Sequence, residues 1–206
     1  MPVLEKIVIS DFRNIQIQEL DFSPNVNCIS GNNGEGKTNL LDAIYYLSMT
    51  KSAFSTSDRF NFRHGTDEFA IAGTYRMENG LSSKFALKMN SKGEKKVKRD
   101  DKQYGRVSEH VGVLPVVMVS PSDVSLVSDS GEERRRFVNA VLSQMDREYM
   151  SALQQYNRLL LQRNSASIVL PTRFACRTSP KAMSSSARKD TSRFSVRTKT
   201  LSLSRI

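Results

Sequence analysis

Residues 31–38 read Gly-Asn-Asn-Gly-Glu-Gly-Lys-Thr and complete the spacing G-x-x-x-x-G-K-[ST]. That spacing suits phosphate. Glycines at 31, 34 and 36 admit the backbone angles of a tight loop, so that successive N–H groups converge on an anion at a helix start. In such a loop Lys37 reaches the terminal phosphates and the Thr38 hydroxyl ligates Mg²⁺. Asn32, Asn33 and Glu35 occupy the variable positions. The chemistry implied is binding of a nucleoside triphosphate with Mg²⁺. The alternative is a glycine-rich turn that precedes a helix by chance.

A loop of this kind must hang between a strand and a helix. Val26, Cys28 and Ile29 predict a buried strand entering it, while Leu40, Leu41, Ala43, Ile44 and Leu47 recur at helical spacing and predict a helix ending near Thr50. Upstream, Leu4, Ile7, Val8 and Ile9 predict a first strand and residues 11–14 a turn. Ile15, Ile17, Leu20 and Phe22 predict a second strand covered on one face, closed by the turn Ser23-Pro24-Asn25.

Downstream, strands are predicted over 69–76 and 81–89, with Gly80 suiting the hairpin turn between them. Residues 91–102 form a dense charge run, read as a solvated hairpin tip with a DNA contact as the alternative. Residues 111–119 predict a mostly apolar strand, closed by Ser120-Pro121. Ser130 and Glu133 have the spacing of a capping box. The helix it opens carries Phe137, Val138, Val141, Leu142 and Met145; a second carries Met150, Leu153, Tyr156, Leu159 and Leu160. These stripes read as core or helix-pairing faces.

At 206 residues the chain has room for one medium domain with a core. No run approaches the roughly 18 uninterrupted apolar residues of a membrane span, and the N-terminus lacks the layout of a secretory signal, so a cytoplasmic location is expected. Cys28 and Cys176 offer neither metal-ligand spacing nor a disulfide framework. Cys28 is expected to be buried beside the loop, and His64 and His110 exposed. The net charge of +10 points weakly to nucleic acid, because nine of the 31 Lys and Arg lie beyond Asn164 against one of the 21 acidic residues. Residues 1–164 therefore carry 22 against 20 and are nearly neutral. After Asn164 the chain turns rich in Ser, Thr, Arg and Lys without sustained period, a composition that predicts disorder. The organisation these shifts predict is a nucleotide-binding part over 1–128, a helical part over 129–164 and a basic disordered tail, genuine or out of frame, over 165–206.

Among phosphate-loop proteins, a GTPase needs D-x-x-G and N-K-x-D, and neither string occurs. A small kinase usually opens with its loop strand, whereas here a hairpin precedes it, as in ATP-binding-cassette ATPases. Further pieces narrow the choice: Asp11-Phe12-Arg13-Asn14, GNNGEGKTNLLDAI at 31–44, VMVSPSDVSLV at 117–127, GEERRRFVN at 131–139 and YNRLLLQRN at 156–164. Over roughly 1–164 the sequence resembles the N-terminal part of the RecF family, bacterial recombination-repair ATPases related to SMC proteins.

The resemblance implies an α/β fold, a P-loop ABC-type ATPase head represented by its N-terminal lobe over 1–128, with the start of a helical lobe over 129–164. It implies ATP and Mg²⁺ as cofactors, an ATP-dependent homodimer, single-stranded or gapped DNA as partner, and recombination mediator proteins that assist RecA loading in DNA replication, repair and the SOS response. Carried over, Gly31, Asn32, Asn33, Gly34, Glu35, Gly36, Lys37 and Thr38 bind the triphosphate and Thr38 the metal. Arg13 and Asn14 fall where related heads contact the nucleotide; otherwise they are a surface turn. Residues 120–123 lie near the loop that couples nucleotide to the helical lobe, with Ser122 where the family more often has an acid. Arg134, Arg135 and Arg136 open a helix and present guanidiniums to DNA phosphate or to an acidic surface; the alternative is pairing with Glu132 and Glu133 along the helix.

Two parts of an ABC ATPase have no counterpart in the sequence: an apolar strand ending in acidic residues, and an L-S-x-G-Q-like helix start. In RecF-like proteins both come from the C-terminal half. Negligible hydrolysis, weak ATP binding and poor solubility are therefore expected. Where a RecF-like chain continues as helix after Asn164, this one becomes aperiodic, and a truncated or frame-shifted product is expected, with a genuine basic arm as the alternative. Two rival readings are a phosphate-loop phosphotransferase with a small-molecule acceptor and a nonfunctional fragment.

Overall fold

A computed structural model describes residues 1–124, 126 and 131–169 of the chain. It opens with β1 (Val3–Phe12) and β2 (Ile15–Asp21), an antiparallel hairpin in which Ile7 faces Leu20 and Phe12 faces Ile15. The turn between them is tight enough to put Arg13 at φ 53°. Helix α1 (Lys37–Met49) follows the glycine-rich loop at 31–36, and strands β3 (Glu68–Arg76), β4 (Ser82–Asn90), β5 (Lys95–Arg99) and β6 (Lys102–Gln103) come next. All pair antiparallel into one six-stranded sheet of order β2-β1-β3-β4-β5-β6. Helices α2 (Gly131–Met145) and α3 (Arg147–Val169) complete the described chain. It divides into two units, 1–154 and 155–206; of the second, residues 155–169 are described as the last turns of α3.

Period-2 alternation builds the core. Ile7 and Ile9 on β1, Phe69 and Ile71 on β3, and Phe85 and Leu87 on β4 project to one face and are essentially buried, and Phe12, out of step with Ile7 and Ile9, joins the same core just after Asp11, whose φ is 54°. On that face lies α1, through Leu40, Ala43, Tyr46 and Leu47. Phe69 is the hub of an aromatic cluster, with ring centroids 5.3 Å from Phe12, 5.5 Å from Tyr46 and 5.2 Å from Phe62 in edge-on geometry. Gly73 lets the helix come close, because a Cβ there would lie 2.7 Å from the Leu47 side chain. The C-terminus of α1 is tied down by Lys95, whose Nζ donates to Thr50 O at 2.6 Å and to Asp58 at 3.0 Å.

Several expectations are corrected. Residues 26–29 form no strand; Val26 is 86% exposed, Cys28 is exposed, and only Ile29 reaches the margin of the core. A strand needs a ladder partner, and among the described residues the sheet order leaves none beside this segment. Residues 111–119 likewise run without pairing, with Val117 and Val119 exposed. His110 is wholly buried, between the rings of Phe85 and Tyr104, with Nε2–H donating to Leu47 O at 2.7 Å. The charge run at 91–102 is more than a hairpin tip. It contains β5, whose Val97 is buried, flanked by two turns.

The apolar stripes of α2 and α3 are core only in part: Ala140 and Met150 pack against a small buried cluster of Tyr45, Met49 and Val111, whereas Phe137, Val138, Met145, Tyr156 and Leu159 are exposed. Helix α3 continues to Val169, five residues past the expected break. The tail beyond Val169 and the capping Ser130 lie outside the described residues.

Candidate nucleotide-binding site

The loop owes its shape to three glycines with positive φ: 151° at Gly31, 89° at Gly34 and 98° at Gly36. Gly36 is the N-cap of α1 and brings no side chain to the helix end. The first N–H groups of α1, which no helix can satisfy internally, are thus offered to whatever sits at the loop. Space requires glycine at 36 as well, since a Cβ there would meet the Asn14 amide at 2.8 Å. At Gly31 a Cβ would strike the Glu35 carboxylate.

Side chains close the loop on itself. Glu35 accepts from the Asn32 N–H and from Asn32 Nδ2, both at 2.8 Å. Lys37 Nζ donates to the carbonyls of Gly31 at 2.8 Å and Asn32 at 2.6 Å, holding its ammonium across the loop. Thr38 is exposed in the first turn of α1, and Asn33 is exposed in the loop. An ammonium, a hydroxyl and uncapped helix amides at one helix end fit the donor set of a Mg²⁺-bound polyphosphate.

The hairpin turn lies against this helix. Arg13 pairs with Asp42 at 2.5 Å, donates to Ser52 and Asn39 at 3.0 Å, and reaches Asn61 at 3.2 Å. Asp42 has no solvent exposure; besides Arg13 it accepts from Ser52 at 2.7 Å and from the Ala53 N–H at 2.8 Å. A buried carboxylate persists only when it is satisfied in this way. Asn14 donates to Gly34 O at 3.2 Å and accepts from Asn39 at 2.7 Å. The structure therefore brings Arg13 and Asn14 to residues 31–38, as part of a network that also holds Asn39 and Asp42. The sequence reading passed over those two residues. Their i,i+3 spacing, which puts two polar groups on one helix face amid apolar positions, was the available signal.

The remaining candidates lie elsewhere. Asp123 accepts from the Ser120 N–H at 2.6 Å and closes a 3₁₀ turn over Pro121–Val124. Arg136 bridges Glu132 at 3.2 Å and Glu133 at 3.1 Å, the helical pairing anticipated as its alternative. Arg134 donates to Leu126 O at 3.2 Å, and Arg135 is exposed. A groove of about 470 Å³ between α1, residues 116–126 and α2 is lined by Tyr45, Phe54, Met118, Asp123, Arg136 and Phe137, and includes none of residues 31–38.

The sequence pattern of the AAA domain family matches residues 6–195. The chain belongs to the AAA domain family. Within it, the chain is similar to the DNA replication and repair protein RecF of Bacteroides fragilis, 45% identical over 163 residues, which is 79% of this chain and 44% of that protein. The solved structure of the recombination mediator protein RecF–ATP in the RecFOR pathway superposes with a TM-score of 0.75 at 31% identity, over 80% of this chain and 44% of that one. The SMC head domain with coiled coil and joint from Pyrococcus yayanosii shares the fold, with a TM-score of 0.54 at 19% identity over 82% of this chain and 38% of that one. The expected ABC-type head fold is borne out by these two neighbours. This AAA domain chain spans under half the length of the curated relatives it matches. Among the described residues no helix is long and apolar enough to cross a membrane.

Proposed function

We propose that the chain binds ATP with Mg²⁺ at residues 31–38 and serves a RecF-type, ATP-controlled function in DNA replication and repair. The observation that carries the reading is the helix start at Gly36: its amides carry no side-chain cap, and the Lys37 ammonium stands over the same loop. Backbone N–H groups would hold the β- and γ-phosphate oxygens, Lys37 would exchange its two carbonyl partners for phosphate, and the Thr38 hydroxyl would ligate the metal. The metal neutralises phosphate charge when bound. The similarity to a protein named for DNA replication and repair, and to RecF–ATP, supports the same reading.

Single-stranded or gapped DNA is the polyanionic partner in this proposal, held by an ATP-dependent pair of heads in the cytoplasm with recombination mediator proteins assisting RecA loading. Retention of gapped DNA by the full chain, with and without Mg-ATP, tests it. Retention that needs Mg-ATP and is lost in Lys37→Ala supports the proposal. Retention indifferent to nucleotide contradicts it, and phosphoryl transfer to a small acceptor would turn the assignment to a phosphotransferase.

A further inference from the structure

Gly34 is the least restrained point of the phosphate loop. Its φ of 89° lies in the left-handed region, and a Cβ built there would meet nothing within 4 Å, so no packing fixes its peptide. Two hydrogen bonds hold the Gly34–Glu35 peptide: the Glu35 N–H donates to Asn32 O at a long 3.4 Å, and from outside the loop Asn14 Nδ2 donates to Gly34 O at 3.2 Å. That bond is the end of a chain. Arg13 Nη1 donates to Asn39 Oδ1 at 3.0 Å, Asn39 Nδ2 donates to Asn14 Oδ1 at 2.7 Å, and Asn14 Nδ2 donates to Gly34.

The chain has a direction imposed by its first member. A guanidinium carries only donors, so the atom of Asn39 that meets Arg13 must be its oxygen. The Asn39 amide nitrogen is then left for Asn14, whose oxygen must turn to it and whose nitrogen must turn to the loop. Arg13 itself cannot rotate freely, because the buried Asp42 carboxylate, Ser52 and Asn61 fix its other nitrogens. A fully committed polar chain of this kind specifies one arrangement of its members.

We infer that Asn39 is a positioning residue of the phosphate loop: it relays the fixed orientation of Arg13 through Asn14 to the Gly34 carbonyl and so sets the central peptide plane of the loop before ligand arrives. A planar trans peptide couples the Gly34 carbonyl to the Glu35 N–H on its opposite side, so the Asn14 bond at the carbonyl and the longer Glu35 N–H bond to Asn32 O act on one plane. Ordering a glycine-rich loop in advance removes part of the entropy that ligand binding would otherwise have to offset. The inference rests on the proposal that residues 31–38 hold ATP. It assigns Asn14 an action through the loop, where direct contact with nucleotide would need no Asn39.

The test is a double-mutant cycle on the full chain, reading Mg-ATP affinity by equilibrium titration and thermal midpoint for wild type, Asn14→Ala, Asn39→Ala and the pair. Each single variant is expected to weaken binding by about three- to tenfold, the worth of one hydrogen bond. The pair is expected to bind no more weakly than the worse single variant, because either change breaks the same chain. Asn14 is exposed, so its variant keeps the fold and carries the result even if Asn39→Ala melts early. Unchanged affinity in Asn14→Ala overturns the inference, as do effects that add, or an Asn39→Ala that binds like wild type while Asn14→Ala does not. Wild type that shows no saturable, Lys37-dependent binding overturns the ATP proposal and this inference with it, and is told apart by the Lys37→Ala arm.

Discussion

Arg13 and Asp42 meet at 2.5 Å, with Asp42 fully buried and the Arg13 side chain 17% exposed. One stands in the first hairpin turn and the other in the middle of α1, so the pair fastens the sheet's opening hairpin to the helix that carries the phosphate loop. Four further polar groups, on Asn39, Ser52, Ala53 and Asn61, converge on these two side chains. That is why the turn can take a left-handed angle at Arg13 and stay there.

Asp42→Ala leaves the largely buried Arg13 guanidinium with only the neutral groups of Asn39, Ser52 and Asn61 and no counter-charge. Breaking one side of a buried pair costs about 3–5 kcal/mol, and the residual exposure of Arg13 places the expected loss near the lower end, about 3 kcal/mol. Chemical denaturation of wild type and variant measures it. A loss under about 1 kcal/mol, the worth of an ordinary surface pair, would contradict the role given to Asp42.

Gly36→Ala meets two obstacles at once, a φ of 98° and an Asn14 amide at 2.8 Å from the new Cβ. The expected outcome is a loss of about 1–2 kcal/mol in stability from backbone strain, with nucleotide affinity falling further than stability does. Gly80→Ala, at a φ of 78° with open space around it, serves as comparison. It should cost similar stability and leave affinity alone; equal affinity losses in both would contradict the loop assignment.

His110 supplies a pH dependence. Burial lowers its pKa below the ordinary 6.5, outweighing the bond to Leu47 O that favours the charged ring. Below pH 6.5 the unfolded chain therefore binds a proton that the folded chain resists. The contribution of His110 is complete above about pH 6.5 and is lost as pH falls towards the folded value. Thermal midpoints measured from pH 8 down to pH 5 should decline for wild type, and the decline between pH 6.5 and 5 should be shallower in His110→Gln. Parallel curves would contradict a neutral buried histidine at this position.

What the sequence disclosed follows from how local each signal is. Strict alternation located β3 and β4 to within a residue, and the glycine spacing with the apolar helix stripe located a positive-φ glycine loop, α1 and its end at Thr50. Each of those patterns is complete within a dozen residues. The failures are non-local. The runs at 26–29 and 111–119 have strand composition, yet a strand exists only when a neighbour pairs with it, and among the described residues none does. His110 is buried because Phe85 and Tyr104 meet around it, and nothing beside it in sequence says so. The site shows the same divide: Lys37 and Thr38 are legible from spacing, whereas Asn39 and Asp42 matter through Asn14 and Arg13, which only the fold brings near.

The most direct measurement is Mg-ATP binding by the purified full chain, titrated at equilibrium beside Lys37→Ala. Saturable binding that weakens by about tenfold or more in the variant, the worth of a charge-assisted hydrogen bond to phosphate, is the expected result. No saturable binding, or equal binding by both proteins, would contradict a nucleotide site at residues 31–38.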